Sequence, residues 1–241
     1  MKKILVIDNN IDPPYGCAEI VDQLKASLVH LGEADIFTRR GPDGAIPESA
    51  EGIDGVVISG SKTRIKETSP WIEKQMKFIE TLHREKIPTF GICYGEQLIA
   101  RTLAGDDSVG VSKVYEYGWV PLEVLPEAAK SEVFNVLPPR FHSWEFHSDE
   151  VFSLPESQFR VTARSANCAI QAFDVLDAPM WGVQFHPERT LALAEQSVAR
   201  IRSNDPKRVL INPDRGAELY DRELVIKIFR AFLAKVFQRK A

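Results

Sequence analysis

The sequence predicts an α/β fold with a mostly parallel central sheet, helices on both faces of that sheet and an antiparallel flank. Strand-like and helix-like segments alternate through the first half, which is typical of a parallel sheet covered by helices. Residues 55–59 are apolar without alternation, as in a strand that is buried on both faces. The second half is rich in Val, Tyr, Trp and Phe between Pro and Gly residues. We therefore expect a three-layer, flavodoxin-like arrangement formed by a single domain, residues 1–241.

The elements of the first half follow from apolar spacing and from boundary residues. Four strands are predicted, at residues 3–8, 34–38, 55–59 and 88–93. Helices are predicted over residues 16–31, from residue 70 onward, and over 95–103. Ser69 and Pro70 fit the N-cap and first position of the second helix. Gly32 and Gly105 fit the C-terminal caps of the first and third helices.

The second half predicts short strands and a terminal helix. Residues 112–125 and 141–185 have the composition of short, partly antiparallel strands. Residues 203–216 form a polar insertion, expected to be a surface loop, with the alternatives that it covers a cleft or binds a partner. The last helix carries an apolar stripe that should dock on the sheet, formed by Leu224, Val225, Ile228, Phe229, Phe232 and Val236.

Composition excludes several classes of protein. With 30 Lys and Arg against 34 Asp and Glu, the net charge of −4 gives no support for binding nucleic acid or an anionic membrane. No segment approaches the roughly 20 apolar residues of a membrane helix, and the N-terminus reads as a strand rather than a signal peptide. Three widely spaced cysteines fit neither a disulfide framework nor a zinc site. We therefore expect a cytoplasmic protein that needs no metal or cofactor.

The segment Gly91-Ile-Cys-Tyr-Gly95 lies between a predicted strand and a predicted helix. It has the form of a nucleophile elbow, in which a sharp turn exposes the central side chain at the carboxyl end of a sheet. Free N–H groups at the start of the helix favour a thiolate at Cys93, which makes the sulfur nucleophilic. The alternative is that Cys93 is a buried small hydrophobe. Cys17 and Cys168 lack this context and are assigned to packing.

A cysteine nucleophile needs a base, and the best candidate is His186 in Gly182-Val-Gln-Phe-His-Pro-Glu188. Apolar residues lead up to His186, which places it at a strand end, and Pro187 keeps it extended. In an extended chain Glu188 points to the same side, where its carboxylate can orient the imidazole. The other four histidines are weaker candidates, since His30 and His83 lie near helix ends and His142 and His147 can have structural roles.

The paired motifs resemble the class I glutamine amidotransferases, which use a Cys-His-Glu triad. The match covers about residues 3–190 in the family's order, and includes Gly91–Gln97, Gly182–Glu188, the segment Val56–Gly60 and His147–Asp149. The resemblance implies that Cys93 attacks the side-chain amide of glutamine, that His186 transfers the proton and that Glu188 orients His186. A γ-glutamyl thioester would form, ammonia would leave, and water would release glutamate.

The resemblance also implies roles around the triad. The oxyanion hole would be built from the backbone N–H groups of Gly60 and Tyr94. Gln97 matches a position that contacts the glutamine substrate, although an ordinary polar residue in a first helical turn is an equal alternative. His147 is expected to line the cleft and bind substrate, or to make a structural hydrogen bond.

Two segments depart from the family pattern. Many members have Ser-Gly-Gly-Pro where this chain has Ser-Gly-Ser-Lys at residues 59–62, so that the Cβ of Ser61 restricts the backbone of the loop. Glu96 stands where the family often has an apolar residue or His. A carboxylate pointing toward Cys93 would oppose formation of a thiolate, and we therefore expect Glu96 to point outward or toward a partner.

Three functions remain open on the sequence alone. The first is a glutamine amidotransferase of the GMP-synthase-like group, which passes ammonia to a separate synthetase subunit, since the chain has no phosphate-binding loop of its own. The second is a γ-glutamyl peptidase or hydrolase that acts on γ-glutamyl amides without an ammonia acceptor. The third is a non-catalytic binding module that has kept the fold.

Overall fold

Residues 1–239, the part of the chain that this computed structural model describes, contain nine strands, six α-helices and three short 3-10 helices. The strands are β1 (Lys2–Asp8), β2 (Ala34–Arg40), β3 (Gly55–Ile58), β4 (Thr89–Ile92), β5 (Val109–Val124), β6 (Arg140–Val151), β7 (Phe159–Arg164), β8 (Ala172–Val175) and β9 (Met180–Val183). The helices are α1 (Ala18–Ser27), α2 (Pro70–Arg84), α3 (Tyr94–Ala104), α4 (Leu191–Asn204), α5 (Gly216–Leu219) and α6 (Arg222–Gln238).

All nine strands form one mixed sheet, in the order β2-β1-β3-β4-β9-β8-β7-β5-β6. The pairings from β2 to β9 are parallel, and those from β9 to β6 are antiparallel. The α/β class and the antiparallel flank are therefore confirmed, but a mostly parallel sheet is confirmed only in part. The antiparallel half is as large as the parallel half, because residues 109–183 supply five strands, of which only β9 joins the parallel set.

The parallel half of the sheet is covered on both faces. Alternate residues of β1 point to opposite sides, and Ile4 and Val6 pack in a core that includes residues of α1 and α6. Leu5 and Ile7 pack in a second core, together with residues of α2 and α3. The predicted stripe of α6 is entirely buried in the first of these cores. Helices on both faces fix the positions of the loops that leave the carboxyl ends of the parallel strands.

One predicted helix boundary and one predicted helix cap differ from the structure. Helix α1 ends at Ser27 with Leu28 as its C-cap, so Gly32 does not cap it and instead follows a further turn of chain. Helix α2 begins at Pro70 as predicted, with Ser69 at the N-cap position, but the Ser69 side chain accepts no hydrogen bond there. Gly105 ends α3 as predicted, with a φ of 94° that favours glycine.

The insertion at residues 203–216 is anchored on β5. The backbone N–H of Ile211 donates to the carbonyl of Tyr117 at 2.8 Å, and its carbonyl accepts from the N–H of Trp119 at 2.9 Å. Gly118, between these two residues, has a φ of 122°, and a Cβ there would collide with the Ile211 carbonyl oxygen. The insertion is thus a surface segment with one tight contact to the sheet. Among residues 1–239, no helix combines the length and apolar character needed to cross a membrane.

Candidate active site

The main cavity lies at the carboxyl ends of the parallel strands and has a volume of about 390 Å³. Its walls come from the segments that follow β1, β3, β4 and β9, and from one side of α4. Ligands bind at this edge of open α/β sheets because loops from neighbouring strands converge there. Four of the residues predicted to form the site lie on this cavity, namely Gly60, Cys93, His186 and Glu188.

Cys93 occupies the sharp turn that the sequence predicts between β4 and α3. Its φ and ψ of 51° and −107° are strained for a residue with a side chain. The turn is possible because the flanking glycines leave room: a Cβ on Gly91 would lie 2.7 Å from backbone atoms of Gly95, and one on Gly95 would overlap the Ile58 carbonyl oxygen. The N–H of Cys93 donates to the carbonyl of Val183 on the neighbouring strand at 2.7 Å, which holds the turn against β9.

His186 is held in a fixed orientation by Glu188 and by the backbone. Its Nδ1 lies 2.7 Å from Glu188 Oε1, and its backbone N–H donates to the Trp144 carbonyl at 2.8 Å. Because a carboxylate only accepts, Nδ1 carries the proton in this contact, and Nε2 is left buried without another partner among the described residues.

The charges around the imidazole favour its protonated form. Burial alone lowers the pKa of His186, but the charges of Glu188 and Cys93 and the hydrogen bond to Glu188 hold that pKa well above its ordinary value. Burial likewise tends to raise the pKa of Glu188, but the His186 charge and hydrogen bond lower it overall. The three side chains thus form one coupled electrostatic unit.

Gly60 lies beside both the thiol and the imidazole. A methyl group built on its Cα would be 3.6 Å from Cys93 Cβ and 3.1 Å from His186 Cε1. The loop that contains it is tied to the end of β1, since the Ser61 hydroxyl donates to the Asn9 carbonyl at 2.7 Å. The other predicted oxyanion residue, Tyr94, begins α3, where backbone N–H groups have no acceptor within the helix.

Gln97 and His147, which the resemblance implies as substrate contacts, do not line the cavity. Both are buried, and their polar atoms bond to other groups of the protein. Gln97 Nε2 donates at 2.8 Å to both the Asp149 carbonyl and Gln184 Oε1. His147 contacts the Asp149 carbonyl at 3.0 Å and Glu116 Oε2 at 3.2 Å. The geometry favours the structural alternative for both residues.

The expectation that Glu96 points outward is wrong. The residue is fully buried, and neither carboxyl oxygen has a hydrogen-bond partner among the described residues. Burial raises the pKa of Glu96 well above its ordinary value, and the negative charges of Cys93 and Glu150 raise it further. Burial therefore favours the neutral form of Glu96, in which it does not oppose a thiolate with a charge of its own.

Sequence reasoning missed several cavity residues. Cys17, assigned to packing, lies on the cavity wall with its sulfur 3.6 Å from Asn10 Nδ2, and burial raises its pKa, so that it stays a thiol. Glu19 and Arg189 also line the cavity, joined by a contact of 3.1 Å. Two features of the sequence could have indicated these residues. The loop after β1 leaves the same edge of the sheet as Cys93, and Arg189 directly follows Glu188.

The site offers the groups needed for covalent catalysis. Within residues 1–239, His, Cys, Asp and Glu side chains nowhere group in threes in a way that could hold a metal ion. The site consists of a strained cysteine, a histidine fixed by a carboxylate, and adjacent backbone N–H groups. This combination can perform acyl transfer through a covalent intermediate.

Comparisons with known proteins agree with this chemistry. The family model "Glutamine amidotransferase class-I" matches residues 17–202. A glutamine-hydrolyzing GMP synthase subunit of Pyrococcus furiosus is 33% identical over 186 residues, which cover 77% of this chain and 88% of that protein.

Solved structures of similar proteins share the fold of this chain. A putative GMP synthase subunit from Thermoplasma acidophilum is 26% identical, with a TM-score of 0.66 over 98% of this chain and 94% of that chain. A glutamine amido transferase from Methylobacillus flagellatus shares the fold, with a TM-score of 0.80 at 21% identity over 100% of this chain and 97% of that one. This chain therefore belongs to the class I glutamine amidotransferase family, within its GMP-synthase-like group.

Proposed function

We propose that this chain hydrolyses the side-chain amide of glutamine through a thioester on Cys93 and delivers the ammonia to a separate synthetase subunit. One observation carries the proposal: the strained Cys93 lines the same cavity as His186 and Glu188, whose side chains are in contact at 2.7 Å. The names of the relatives favour an amidotransferase over a γ-glutamyl peptidase or a non-catalytic module.

The first half-reaction uses the ion pair that the charges favour. The Cys93 thiolate attacks the amide carbon of glutamine, and the carbonyl electrons move onto oxygen. His186, protonated because of Glu188 and Cys93, gives its Nε2 proton to the amide nitrogen. The carbon–nitrogen bond then breaks, ammonia leaves, and a γ-glutamyl thioester remains on the sulfur.

The second half-reaction returns the enzyme to its starting state. His186 is now neutral and takes a proton from water, whose oxygen attacks the thioester carbon. The carbon–sulfur bond breaks, and glutamate leaves with the thiolate restored. Glu188 keeps Nδ1 protonated throughout, so that Nε2 is the atom that exchanges protons.

Both tetrahedral intermediates carry negative charge on the former carbonyl oxygen. Gly60 lies next to Cys93, and Tyr94 follows Cys93 at the start of α3, which supports the proposal that their backbone N–H groups bind this oxygen. Each such donor contributes about 3 kcal/mol of transition-state stabilisation.

The names of similar proteins support a separate synthetase subunit that uses the ammonia. The similar curated proteins from Pyrococcus furiosus and Methanocaldococcus jannaschii are each named as one subunit of a glutamine-hydrolyzing GMP synthase. By analogy, this chain would act with a second subunit that activates the ammonia acceptor.

The direct test measures glutamate and ammonia after incubation of the purified protein with glutamine, alone and with a GMP synthase synthetase subunit supplied with its nucleotide substrates. We expect equimolar glutamate and ammonia from the protein alone. With the synthetase, we expect faster release of glutamate and an amidated nucleotide that contains the ammonia nitrogen. In Cys93→Ala, glutamine should no longer support amidation, whereas free ammonium salts should. If the protein hydrolyses no glutamine, either alone or with the synthetase, the proposed hydrolysis is wrong. If it hydrolyses glutamine but the nucleotide is not amidated, the proposed delivery of ammonia to this synthetase is wrong.

A further inference from the structure

Gly60 lies in the loop that connects β3 to α2, residues 59–69, which contains no helix or strand and is called the β3–α2 loop below. The first residues of this loop are held by the end of β1. The Asn9 backbone N–H donates to Ser59 Oγ at 2.9 Å, and Ser61 Oγ donates to the Asn9 carbonyl at 2.7 Å. An attachment at one end would leave the loop free to pivot, so the position of Gly60 also depends on what holds the other end.

Arg101 holds that other end of the β3–α2 loop. Its Nη1 donates to the carbonyl of Ile65 at 2.8 Å and to the carbonyl of Glu67 at 2.9 Å. The Arg101 side chain is only 5% exposed, and hydrogen bonds from a charged donor are strong, especially where water is excluded. A second buried contact acts at the same place, because the Ile65 N–H donates to Asp149 Oδ2 at 2.8 Å.

The remaining contact of Arg101 is weaker. Its Nε donates to Asp106 Oδ1 at 2.7 Å, but the Asp106 side chain is 63% exposed. Ion pairs with a well-solvated partner contribute little to stability. Arg101 is therefore chiefly a link between α3 and the β3–α2 loop.

Arg101 also belongs to the helix that begins directly after the nucleophile. It lies about two turns along α3 from Tyr94. The two proposed oxyanion donors lie on separate elements, Tyr94 at the start of α3 and Gly60 in the loop. Such donors stabilise the transition state when they lie about 2.7 to 3.1 Å from the developing oxyanion. A side chain that is anchored in α3 and binds the loop therefore fixes the two donors relative to each other.

We infer that Arg101 is a positioning residue, which holds the β3–α2 loop so that the Gly60 N–H points at the oxyanion formed beside Cys93. This inference rests on the proposed hydrolysis of glutamine. Arg101 does not line the cavity, so its effect on the reaction passes through the loop. An oxyanion hole acts on the transition state, and a displaced donor should therefore lower kcat and leave KM nearly unchanged.

The kinetics of two Arg101 variants test the inference. Arg101→Gln removes the charge and shortens the side chain, and we expect it to lower kcat for glutamine at least tenfold, with KM within threefold of the wild type. Arg101→Lys keeps a charge but loses the planar fork of donors. Its kcat should be at least threefold below that of the wild type and above that of Arg101→Gln.

Two further measurements separate a displaced loop from a damaged nucleophile. Iodoacetamide alkylates a thiolate by displacement of iodide and forms no oxyanion, so its rate at Cys93 should stay within threefold of the wild type in both variants. Deuterium exchange in Arg101→Gln should become faster in peptides that cover residues 59–67, but not in peptides that cover β4.

Arg160 provides the matched control. Its Nη1 donates to the Lys130 carbonyl at 3.0 Å and to Asp174 Oδ2 at 2.9 Å, so it too joins a carbonyl and a carboxylate, but it bonds to no residue of the β3–α2 loop. Arg160→Gln should leave both kcat and KM unchanged.

Several results would overturn the inference. These are a kcat within twofold of the wild type in both Arg101 variants, alkylation of Cys93 that slows as much as hydrolysis, or an equal loss of kcat in Arg160→Gln. If Arg101→Gln does not fold, Arg101→Lys decides alone, by the same limits. With a wild-type protein that hydrolyses glutamine, such results remove only this inference. If the wild-type protein hydrolyses no glutamine, the proposed function fails.

Discussion

Glu96 and Gly182 lie in direct contact in the interior, so that a Cβ on Gly182 would approach Glu96 Cγ to 2.6 Å. The missing side chain on β9 makes the space that the Glu96 side chain fills. A carboxyl group is thereby buried one helical turn from Cys93, where burial holds its pKa well above the ordinary value. Its neutral form reconciles an acid at this position with a reactive cysteine.

Glu96→Gln should make the protein more stable than the wild type at alkaline pH. The unfolded chain ionises Glu96 near its ordinary pKa, but burial in the folded protein keeps it protonated to a higher pH. Wild-type stability is therefore lost as pH rises from the unfolded value toward the folded one, by about 1.4 kcal/mol per pH unit. Denaturant unfolding at pH 5 and pH 8 should show the advantage of Glu96→Gln growing with pH.

The exposed Glu195 provides the control for this experiment. Glu195→Gln should change the free energy of unfolding equally at both pH values. An advantage of Glu96→Gln that stays constant between pH 5 and pH 8 would show that Glu96 ionises in the folded protein as it does in the unfolded chain.

Cys93→Gly should be more stable than Cys93→Ala, and both should be inactive. The φ of 51° strains any residue with a Cβ, whereas glycine adopts it freely. After allowance for the greater freedom of glycine in the unfolded chain, the difference should be about 1 kcal/mol in favour of glycine. Denaturant unfolding of the two variants measures it. A more stable alanine variant would mean that the turn is not strained, and residual glutaminase activity in either variant would remove the role of the sulfur.

His186→Ala should lose nearly as much glutaminase activity as Cys93→Ala, because members of a triad act as a unit. Glu188→Gln should be milder, since an amide can still orient the ring through a hydrogen bond while it no longer stabilises the imidazolium. Steady-state release of glutamate measures all three variants. Activity of His186→Ala close to that of the wild type would exclude the proposed proton transfer.

Gly60→Ala should lower kcat while it leaves stability nearly unchanged. The added methyl would lie 3.1 Å from His186 Cε1, so that the loop or the imidazole must shift by a few tenths of an ångström. Small displacements of reacting groups reduce rates by about tenfold to 100-fold. The comparison of kcat with the free energy of unfolding separates the two effects, and a parallel loss of both would indicate a general packing defect.

The sequence was most informative where local chemistry dictates structure. The two glycines around Cys93 constrain the backbone directly, and the sharp turn occurs at the predicted place. The strand predicted to lead up to His186 ends at Val183, three residues before it, although the predicted contact with Glu188 forms. Contacts between distant segments were less accessible. The direction of the Glu96 side chain depends on space left by Gly182, and the Glu19–Arg189 pair joins residues 170 positions apart.

The sheet shows the same difference between local and long-range information. The alternation of strands and helices predicts the parallel half, because βαβ connections have few solutions. The antiparallel half is built from β5 to β8, in which Val, Tyr, Trp and Phe indicate strands but not their partners. Its size was therefore underestimated, although its presence was predicted.

The proposed chemistry depends most on the identity of the nucleophile, and the cavity contains two cysteines, Cys93 and Cys17. The decisive measurement is mass spectrometry of the protein after reaction with an electrophilic glutamine analogue. We expect a single adduct on the peptide that contains Cys93, slower labelling when glutamine is present, and no adduct on Cys17, whose pKa is raised by burial. Labelling of Cys17 instead of Cys93, or labelling that glutamine does not slow, would contradict the proposed mechanism.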